Sequence, residues 1–383
     1  MAVILQVLPS LVTGGVERST VEMTQAIAGA GWTALVASSG GPLVAAIERA
    51  GGRHITLPLE TKNPFTLLRN ARGLADLTRT GQVDLVHARS RAPAWSAWIA
   101  ARRAGRHFVT TYHGAYGEDL PFKRRYNSVM AKGEVVIVAS RFMADLVMQR
   151  HRVDRRRIKV IPRGVDPTLF DPASVQPDRI ARLAAAWNLP PGAPVILLPG
   201  RITGWKGQSV LLDAMSRLSR RDLVAVLAGA DQGRTHVTAR LRQQAEALGI
   251  AGRVRLPGDC ADMPAALALA DIVVHASTEP EAFGRVVIEA QAMERPVIAS
   301  NLGGPVETID DGVTGWLVPP GDPAALAAAL EKVLAMQPSQ RAKIGEAARA
   351  AVLARCTTHA MQQATLEVYR EVLSPGVSTG GRT

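Results

Sequence analysis

Short apolar runs alternate with helix-length amphipathic segments along almost the whole chain, and this alternation is the feature that most limits its fold. In the first half, the apolar runs that predict strands are residues 3–8, 33–37, 55–57, 83–87, 108–111 and 135–139. The segments between them that predict helices include residues 16–28, 64–78 and 94–103. Because each helix crosses back over the sheet before the next strand begins, such a repeat predicts an α/β protein with a parallel sheet.

The alternation is interrupted once, and the interruption predicts a domain boundary. Prolines accumulate between Pro162 and Pro194, after which a strand at 195–198 restarts the series. Further strands are predicted at 224–228, 254–256, 272–275, 297–300 and 316–318. A chain of 383 residues, 47% of them apolar, is long enough for two cores of ordinary domain size. We therefore predict one doubly wound domain over residues 1–168 and a second over residues 169–355.

Positive charge is concentrated in the first half of the chain. Residues 1–171 hold 24 Lys and Arg against 13 Asp and Glu, and the remainder holds 21 against 20, so the two parts carry +11 and +1. The cations cluster at residues 102–106, 123–125 and 150–159. Such clusters attract anionic lipid head groups, phosphorylated glycans or nucleic acid. Aromatic residues are not interleaved with them, so nucleic acid is not an expected partner.

Cysteine content and hydropathy predict a cytoplasmic protein. Cys260 and Cys356 stand far apart and lack neighbours at metal-ligand spacing, so neither a disulfide framework nor a zinc site is predicted. The apolar start of the chain carries no Lys or Arg, which fits a strand better than a signal peptide. No later stretch approaches the ~20 apolar residues of a membrane-spanning helix. We expect at most peripheral contact with the inner face of a membrane, made through charge, since no apolar anchor is visible.

Glu281 and Glu289 stand eight residues apart at the start of a predicted helix. Glu289 lies inside that helix, which is apolar on most faces, and a buried carboxylate without hydrogen-bond donors is costly. Vicinal hydroxyls of a ribose or hexose would supply two donors to its two oxygens. The free N–H groups around Gly284 to Val286 form a helix N-terminus suited to a phosphate. The alternative is an exposed Glu281 and a Glu289 satisfied by the backbone.

Arg201 and Lys206 lie in a glycine-containing segment, residues 200–207, where another strand passes to a helix. The spacing matches neither a P-loop nor a dinucleotide fingerprint. Two cations at the carboxyl end of a parallel sheet can neutralise a diphosphate leaving group without a metal, and no Asp-x-Asp pair is present to hold one. Two solvated surface cations are the alternative.

Two segments of the first half, each at the end of a predicted strand, are weaker candidates for a ligand-binding site. Gly14 and Gly15 follow the first strand and allow close approach of a ligand to the backbone, with Thr13 as a candidate helix cap. His113 ends another strand. Glycine is frequent in such turns and a lone histidine is often structural, so both interpretations stay open.

With these motifs, nearly the whole chain resembles the retaining glycosyltransferases of family four, which have the GT-B fold. The resemblance rests on Glu281 and Glu289 with Phe283-Gly284 between them, on Arg201 and Lys206, and on residues 303–315 and 319–322. It implies two Rossmann-like domains facing a central cleft, with a C-terminal helix over 356–374 returning to the first domain. Residues 375–383 are predicted to form a flexible tail.

The resemblance also implies a role for each site residue. Catalytic roles would fall to Arg201, Lys206, Glu281 and His113, and donor binding to Gly14, Gly15, Arg201, Lys206, Arg255, Gly258, Glu281, Phe283, Gly284, Arg285, Val286 and Glu289. Glu289 would bind the ribose, Glu281 the transferred sugar, and the two cations the diphosphate. No metal or cofactor is expected. Arg163 stands where family members commonly carry Asn, so its role is open.

The function expected on these grounds is retaining, metal-independent transfer of a hexose from a nucleotide diphosphate sugar. A UDP-sugar is favoured and a GDP-sugar comes second, by family frequency. The acceptor would be a glycan or a lipid-linked envelope molecule such as lipopolysaccharide core. Alternatives are another GT-B sugar-nucleotide enzyme, an epimerase or a phosphorylase, and a non-catalytic sugar-binding protein.

Overall fold

A computed structural model describes residues 1–12, 14–61, 63–118 and 120–374 of the chain. The polypeptide divides into two compact units. Met1–Pro162 together with the C-terminal segment from Thr358 forms the first unit, and Arg163–Thr357 forms the second. The candidate helix cap Thr13 and the predicted tail at 375–383 lie outside the described residues.

The first unit is built around a seven-stranded parallel sheet with the strand order β3-β2-β1-β4-β5-β6-β7. Its strands are β1 (Val3–Val7), β2 (Thr33–Ser38), β3 (Arg53–Thr56), β4 (Leu85–Ala88), β5 (His107–Tyr112), β6 (Val135–Val138) and β7 (Ile158–Val160). Its helices are α1 (Gly15–Gly29), α2 (Val44–Arg49), α3 (Pro64–Thr80), α4 (Arg91–Ala104), α5 (Pro121–Asn127) and α6 (Arg141–His151). Most residues of these strands are buried, because helices cover both faces of a doubly wound sheet.

The second unit repeats this architecture with six parallel strands in the order β10-β9-β8-β11-β12-β13. The strands are β8 (Val195–Pro199), β9 (Val224–Ala228), β10 (Val254–Gly258), β11 (Ile272–His275), β12 (Val297–Ser300) and β13 (Trp316–Val318). The helices are α7 (Pro177–Ala186), α8 (Gln208–Arg217), α9 (Thr235–Ala247), α10 (Met263–Leu269), α11 (Arg285–Ala292), α12 (Pro323–Leu334) and α13 (Pro338–Arg355). A continuous core of aliphatic side chains from both strands and helices fills it.

The last helix, α14 (Thr358–Leu373), packs in the first unit. Met361, Leu366 and Tyr369 lie in one buried cluster with Ile4 of β1. The Tyr369 hydroxyl is hydrogen-bonded with Nδ1 of the buried His87 on β4, at 2.6 Å. Burial of an amphipathic face, rather than helix propensity, holds such a terminal helix in place.

The first domain boundary falls at 162/163, six residues before the predicted 168/169. The segment that follows Pro162 belongs to the second unit because its backbone pairs there. Val165 N–H donates to Cys356 O at 2.8 Å, and Arg349 of α13 donates to Phe170 O at 2.9 Å. Arg163, whose role the sequence leaves open, is buried at the start of this unit.

Every predicted strand matches an observed strand within two residues at each end, and two details of the comparison are informative. The strand predicted at 83–87 begins only at Leu85, because Val83 N–H still bonds to Thr78 O at the end of α3. The short strand β7 was not predicted, since it follows an arginine-rich turn and has only three residues. Among the described residues, no helix is long and apolar enough to cross a membrane.

Candidate functional site

In the second unit, the candidate site lies where the strand order reverses. β8 has β9 on one side and β11 on the other, so the loops that follow β8 and β11 leave the carboxyl edge of the sheet side by side. Open α/β sheets bind ligands at this switch point. The loop after β8 is residues 200–207, and the loop after β11 is residues 276–284. Thr278 N–H donates to Trp205 O at 2.8 Å and ties the two loops together.

Glu281 and Lys206, one from each loop, form an ion pair at this edge. Lys206 Nζ donates to Glu281 Oε1 at 2.7 Å, and both side chains are largely buried, with 13% and 14% exposed. Nε2 of His275, the last residue of β11, donates to the same oxygen at 2.7 Å. The Ser277 hydroxyl donates to it as well. Three donors therefore converge on a single carboxylate oxygen.

This convergence sets the charge of Glu281. Burial by itself would raise the pKa of the Glu281 carboxyl, but His275 and Lys206 outweigh burial and hold the pKa well below its usual range. Glu281 is therefore a carboxylate at neutral pH and acts as a hydrogen-bond acceptor. It is not a proton donor, so it is unsuited to general acid catalysis.

The start of α11 supplies the second carboxylate and a set of backbone donors. Glu289 is buried on this helix, and Arg285 Nε, one turn earlier, lies 3.5 Å from Glu289 Oε1. Gly284, which precedes the helix, has a φ of 81°, a left-handed conformation that favours glycine. Buried Phe283 precedes it. The N–H groups of Arg285 and Val286 thus belong to the first turn of α11, whose N-terminus attracts negative charge.

A third loop, after β12, supports the segment that carries Glu281. Gly304 N–H donates to Glu281 O at 2.8 Å. A Cβ atom on Gly303 would lie 2.7 Å from Glu281 O, and one on Gly304 would overlap Ala282 O. Only glycines allow this loop to approach so closely. Glu281 is therefore held from two sides, its side chain by the end of β11 and its backbone by the loop after β12.

The remaining predicted donor-binding residues of this unit separate into two groups. Arg201 is exposed in the loop after β8, and Gly258 ends β10 beside Ala228, with a φ of 82°. Both are at the carboxyl edge. Arg255 is not, because it lies near the start of β10 and its guanidinium donates to backbone carbonyls of residues 187, 188, 252 and 254 at 2.8–3.1 Å. These contacts hold the Arg255 guanidinium against the backbone, and the assignment of Arg255 to the donor site stays a prediction.

In the first unit, the strand order reverses between β1 and β4. Gly14 precedes α1 and Gly15 begins it, so both lie at the carboxyl end of β1. Arg89 follows β4 at the same edge, is fully buried, and donates to Gln6 Oε1 at 2.9 Å and to the Ser19 hydroxyl of α1. Burial lowers the pKa of Arg89.

His113 follows β5 and lies one strand further along this edge. The segment after it is anchored by Glu118, whose Oε1 lies 3.2 Å from His151 Nε2 at the end of α6. Tyr112 Oη lies 3.1 Å from the same nitrogen. His113 is therefore carried by a backbone that is fixed before and after it.

Comparison with known proteins gives this arrangement a family. Residues 180–351 match the family described as Glycosyl transferases group 1, and residues 13–169 match Glycosyltransferase Family 4. A glycosyltransferase from Rickettsia africae is 38% identical, with a TM-score of 0.90 over 98% of this chain and 99% of that one. The chain belongs to the group 1 glycosyltransferases. Its fold is GT-B, as the sequence predicted.

Two further relatives of this glycosyltransferase are informative. The D-inositol 3-phosphate glycosyltransferase of Salinispora arenicola is 32% identical over 66% of this chain, and the match spans only 61% of that protein's own length. The Anabaena protein Alr3699/HepE, solved in complex with UDP and glucose, is 26% identical, with a TM-score of 0.86 over 97% of this chain and 100% of that one.

Sequence reasoning missed three polar residues in this glycosyltransferase: His275, Ser277 and Arg89. A signal for His275 exists, since it ends a strand that is otherwise Ile-Val-Val, six residues before Glu281. Arg89 likewise follows a buried strand directly. A polar residue at the carboxyl end of an apolar parallel strand is a candidate for the site, because that end carries the ligand-binding loops.

Proposed function

We propose that this glycosyltransferase transfers a hexose from a nucleotide diphosphate sugar with retention of anomeric configuration and without a metal. A UDP-sugar is the favoured donor, and a GDP-sugar is the second choice. The observation that carries the proposal is the pairing of Lys206 with Glu281 at the switch point, next to the N-terminus of α11. The complex of the Anabaena relative with UDP and glucose supports a nucleotide sugar as the donor.

In this proposal each group at the edge meets one part of the donor. Glu289 accepts hydrogen bonds from the ribose hydroxyls, and Glu281 accepts them from the sugar to be transferred. Arg201 and Lys206 bind the diphosphate together with the first-turn N–H groups of α11. Two cations and a helix N-terminus supply the positive charge that a divalent ion would otherwise supply. Gly258 lies at the same edge and is assigned to the base side of the donor.

The transfer itself breaks the bond between the sugar C1 and the β-phosphate oxygen and forms a bond from C1 to the acceptor oxygen on the same face. The acceptor hydroxyl gives its proton to the departing phosphate oxygen. Arg201 and Lys206 stabilise the negative charge that grows on the diphosphate. Glu281 stays a carboxylate throughout and positions the sugar. Gly14 and Gly15 of the first unit are together assigned to the phosphate and the acceptor, and His113 is assigned to the donor sugar.

For the acceptor we propose a glycan or a lipid-linked envelope molecule such as lipopolysaccharide core, met at an anionic membrane surface. Support comes from the first unit. The structure joins two cation clusters that are separate in sequence, because Arg124 of α5 donates through Nε to Arg150 O at 2.9 Å. Arg124, Arg125, Arg150 and Arg152 line a depression of about 350 Å³, and we call these four residues the basic surface.

Exposed apolar side chains accompany the basic surface. Leu120 is 45% exposed and Phe122 is 66% exposed, four and two residues before Arg124 in sequence. The expectation that the chain has no apolar anchor stays a prediction, and these two side chains are the candidates that would add an apolar contribution to membrane contact. Apolar side chains that enter the headgroup region add to the attraction between cations and anionic lipid.

The donor proposal is tested by incubating the full chain with UDP-glucose and GDP-mannose, with and without excess EDTA, and with an anionic glycan acceptor. We expect UDP rather than GDP to raise the unfolding temperature, and transfer to persist in EDTA. Proton NMR of the product should show the anomeric configuration of the donor. Inversion of configuration would refute the retaining mechanism. A donor that is epimerised, or bound and never transferred, would support the epimerase or the sugar-binding alternative.

A further inference from the structure

His275 has no role in the transfer described above, although it contacts Glu281 directly. It is 4% exposed, and its Nε2–H donates to Glu281 Oε1. Its Nδ1 atom is buried and has no hydrogen-bond partner among the residues the structure describes. The ring lies beneath the first turn of α11, since a Cβ atom on Gly284 would be 3.6 Å from Nε2. A buried imidazole that makes one strong contact has its orientation defined by that contact.

The three donors to Glu281 are not equivalent, because they come from different parts of the chain. His275 and Ser277 belong to the end of β11 and the loop after it, the same segment that carries Glu281. Lys206 comes from the loop after β8. Its long side chain is flexible, whereas the histidine is held by a strand that pairs on both sides, with β8 and β12.

In the proposed function, Lys206 binds the diphosphate of the donor as well as Glu281. A diphosphate at the N-terminus of α11 competes with Glu281 for the same ammonium group. When Lys206 turns toward the diphosphate, the buried carboxylate loses the ammonium group as a donor and keeps the donors at the end of β11. An unpaired buried carboxylate is costly and would reorient toward water unless other donors hold it.

We propose that His275 is a positioning residue that holds Glu281 in place, with Ser277, while Lys206 engages the leaving diphosphate. The inference rests on the proposed function. In this arrangement Lys206 binds the diphosphate, while the residues at the end of β11 hold the Glu281 carboxylate. Removing His275 should therefore impair the chemical step more than donor binding, because Lys206 turns fully away from Glu281 only as negative charge grows on the leaving diphosphate.

The test compares His275→Phe, His275→Gln and Ser277→Ala in steady-state transfer. We expect His275→Phe to lower kcat by about tenfold to a hundredfold, the usual effect of losing a hydrogen bond to a charged group, with the donor KM changed by less than about threefold. His275→Gln should recover most of kcat, because its amide can donate to Glu281. Ser277→Ala should cost less than His275→Phe.

A matched control is available in His107, which starts β5 and whose Nδ1 lies 2.9 Å from Glu134 Oε2. His107→Phe removes a similar histidine–glutamate contact and should leave kcat unchanged. Equal losses in His275→Phe and His275→Gln, or a loss confined to KM, would overturn the inference. If His275→Phe does not fold, the test rests on His275→Gln and Ser277→Ala. A large loss of kcat in His275→Gln together with an unchanged kcat in Ser277→Ala would then also overturn the inference.

A donor-independent measurement separates this inference from the proposed function. In ¹⁵N-labelled wild-type protein without donor, the Nε2 proton of His275 should appear as a slowly exchanging, downfield NMR signal that disappears or shifts in Glu281→Gln. Absence of that signal in the wild type would remove the geometric basis of the inference whatever the enzyme transfers. If the signal is present but no nucleotide sugar is transferred, the proposed function fails.

Discussion

At the scale of single residues, the direction of a side chain decides its role more than its chemical type does. Arg201 and Arg255 are both arginines of the second unit, and both were predicted to meet the donor. Arg201 is exposed in the loop at the carboxyl edge of the sheet, whereas the Arg255 guanidinium donates to backbone carbonyls near the other end of β10. Arg201 therefore stays a candidate for the proposed donor site, and the donors of Arg255 are engaged within the fold.

Substitutions of Glu289 and of Arg255 should therefore differ in their effects on UDP binding and on stability. We expect Glu289→Ala to weaken UDP binding by roughly a hundredfold, by analogy with removing one positioned polar contact from an active site. Arg255→Ala should leave the Kd for UDP within about twofold and lower the free energy of unfolding by about 1–3 kcal/mol, since it removes charge-assisted hydrogen bonds. Calorimetric titration and urea denaturation of both variants measure the two effects. Strong loss of UDP binding in Arg255→Ala would instead support the assignment of Arg255 to the donor site.

At the scale of elements, the end of α6 contacts the residues on both sides of His113. His151 ends this helix with a side chain that is 3% exposed, between Tyr112 of β5 and the buried Glu118. Asn127 Nδ2, at the end of α5, donates to Glu118 Oε1 at 3.0 Å. Burial lowers the pKa of His151, an effect that Glu118 opposes only in part. His151 is therefore the neutral member of this contact near neutral pH.

This lowered pKa predicts a pH dependence of stability. The unfolded chain takes up a proton at His151 near the ordinary value of 6.5, whereas the folded chain does so only at lower pH. Stability is thus fully present above 6.5 and is lost as the pH falls below it, by at most about 1.4 kcal/mol per pH unit for one proton. Urea denaturation at pH 7.5, 6.5 and 5.5 should show a steeper decline for the wild type than for His151→Gln. Parallel curves would refute the shift.

At the scale of the whole molecule, the excess of positive charge belongs to one of the two units. The sequence alone gives residues 1–171 a net charge of +11. The structure brings part of this charge together in the basic surface. The second unit is nearly neutral and carries the carboxylates of the proposed donor site. The proposed membrane attraction and the proposed donor binding therefore fall on different units of the chain.

Binding to liposomes should follow this division. We expect the chain to co-sediment with vesicles that contain anionic lipid at low salt and to be released at high salt, since each cation near the surface contributes about 1 kcal/mol and is screened beyond ~10 Å. Replacement of Arg124 and Arg125 by Ala should weaken binding severalfold. Replacement of Arg220 and Arg221, two exposed neighbouring arginines of the second unit, serves as the matched control and should not. Equal binding to neutral vesicles would contradict electrostatic docking.

The sequence by itself determined the class of fold, both sheets and most strand positions. Apolar runs and amphipathic spacing are local patterns, and they follow from the burial of parallel strands beneath helices. The strand at 272–275 and the helix at 358–373 could therefore be read without a structure. The eight-residue spacing of Glu281 and Glu289 is equally local, because both flank the start of one helix.

Only the tertiary structure decided which polar groups meet. Lys206 and Glu281 are 75 residues apart and touch because the sheet places β8 next to β11. His275 is near Glu281 in sequence, but its hydrogen bond depends on the loop that turns Glu281 back over the end of β11. The same holds for Arg124 and Arg150 O in the first unit. Strand order and loop direction arise from packing over the whole unit, and no local pattern of residues encodes them.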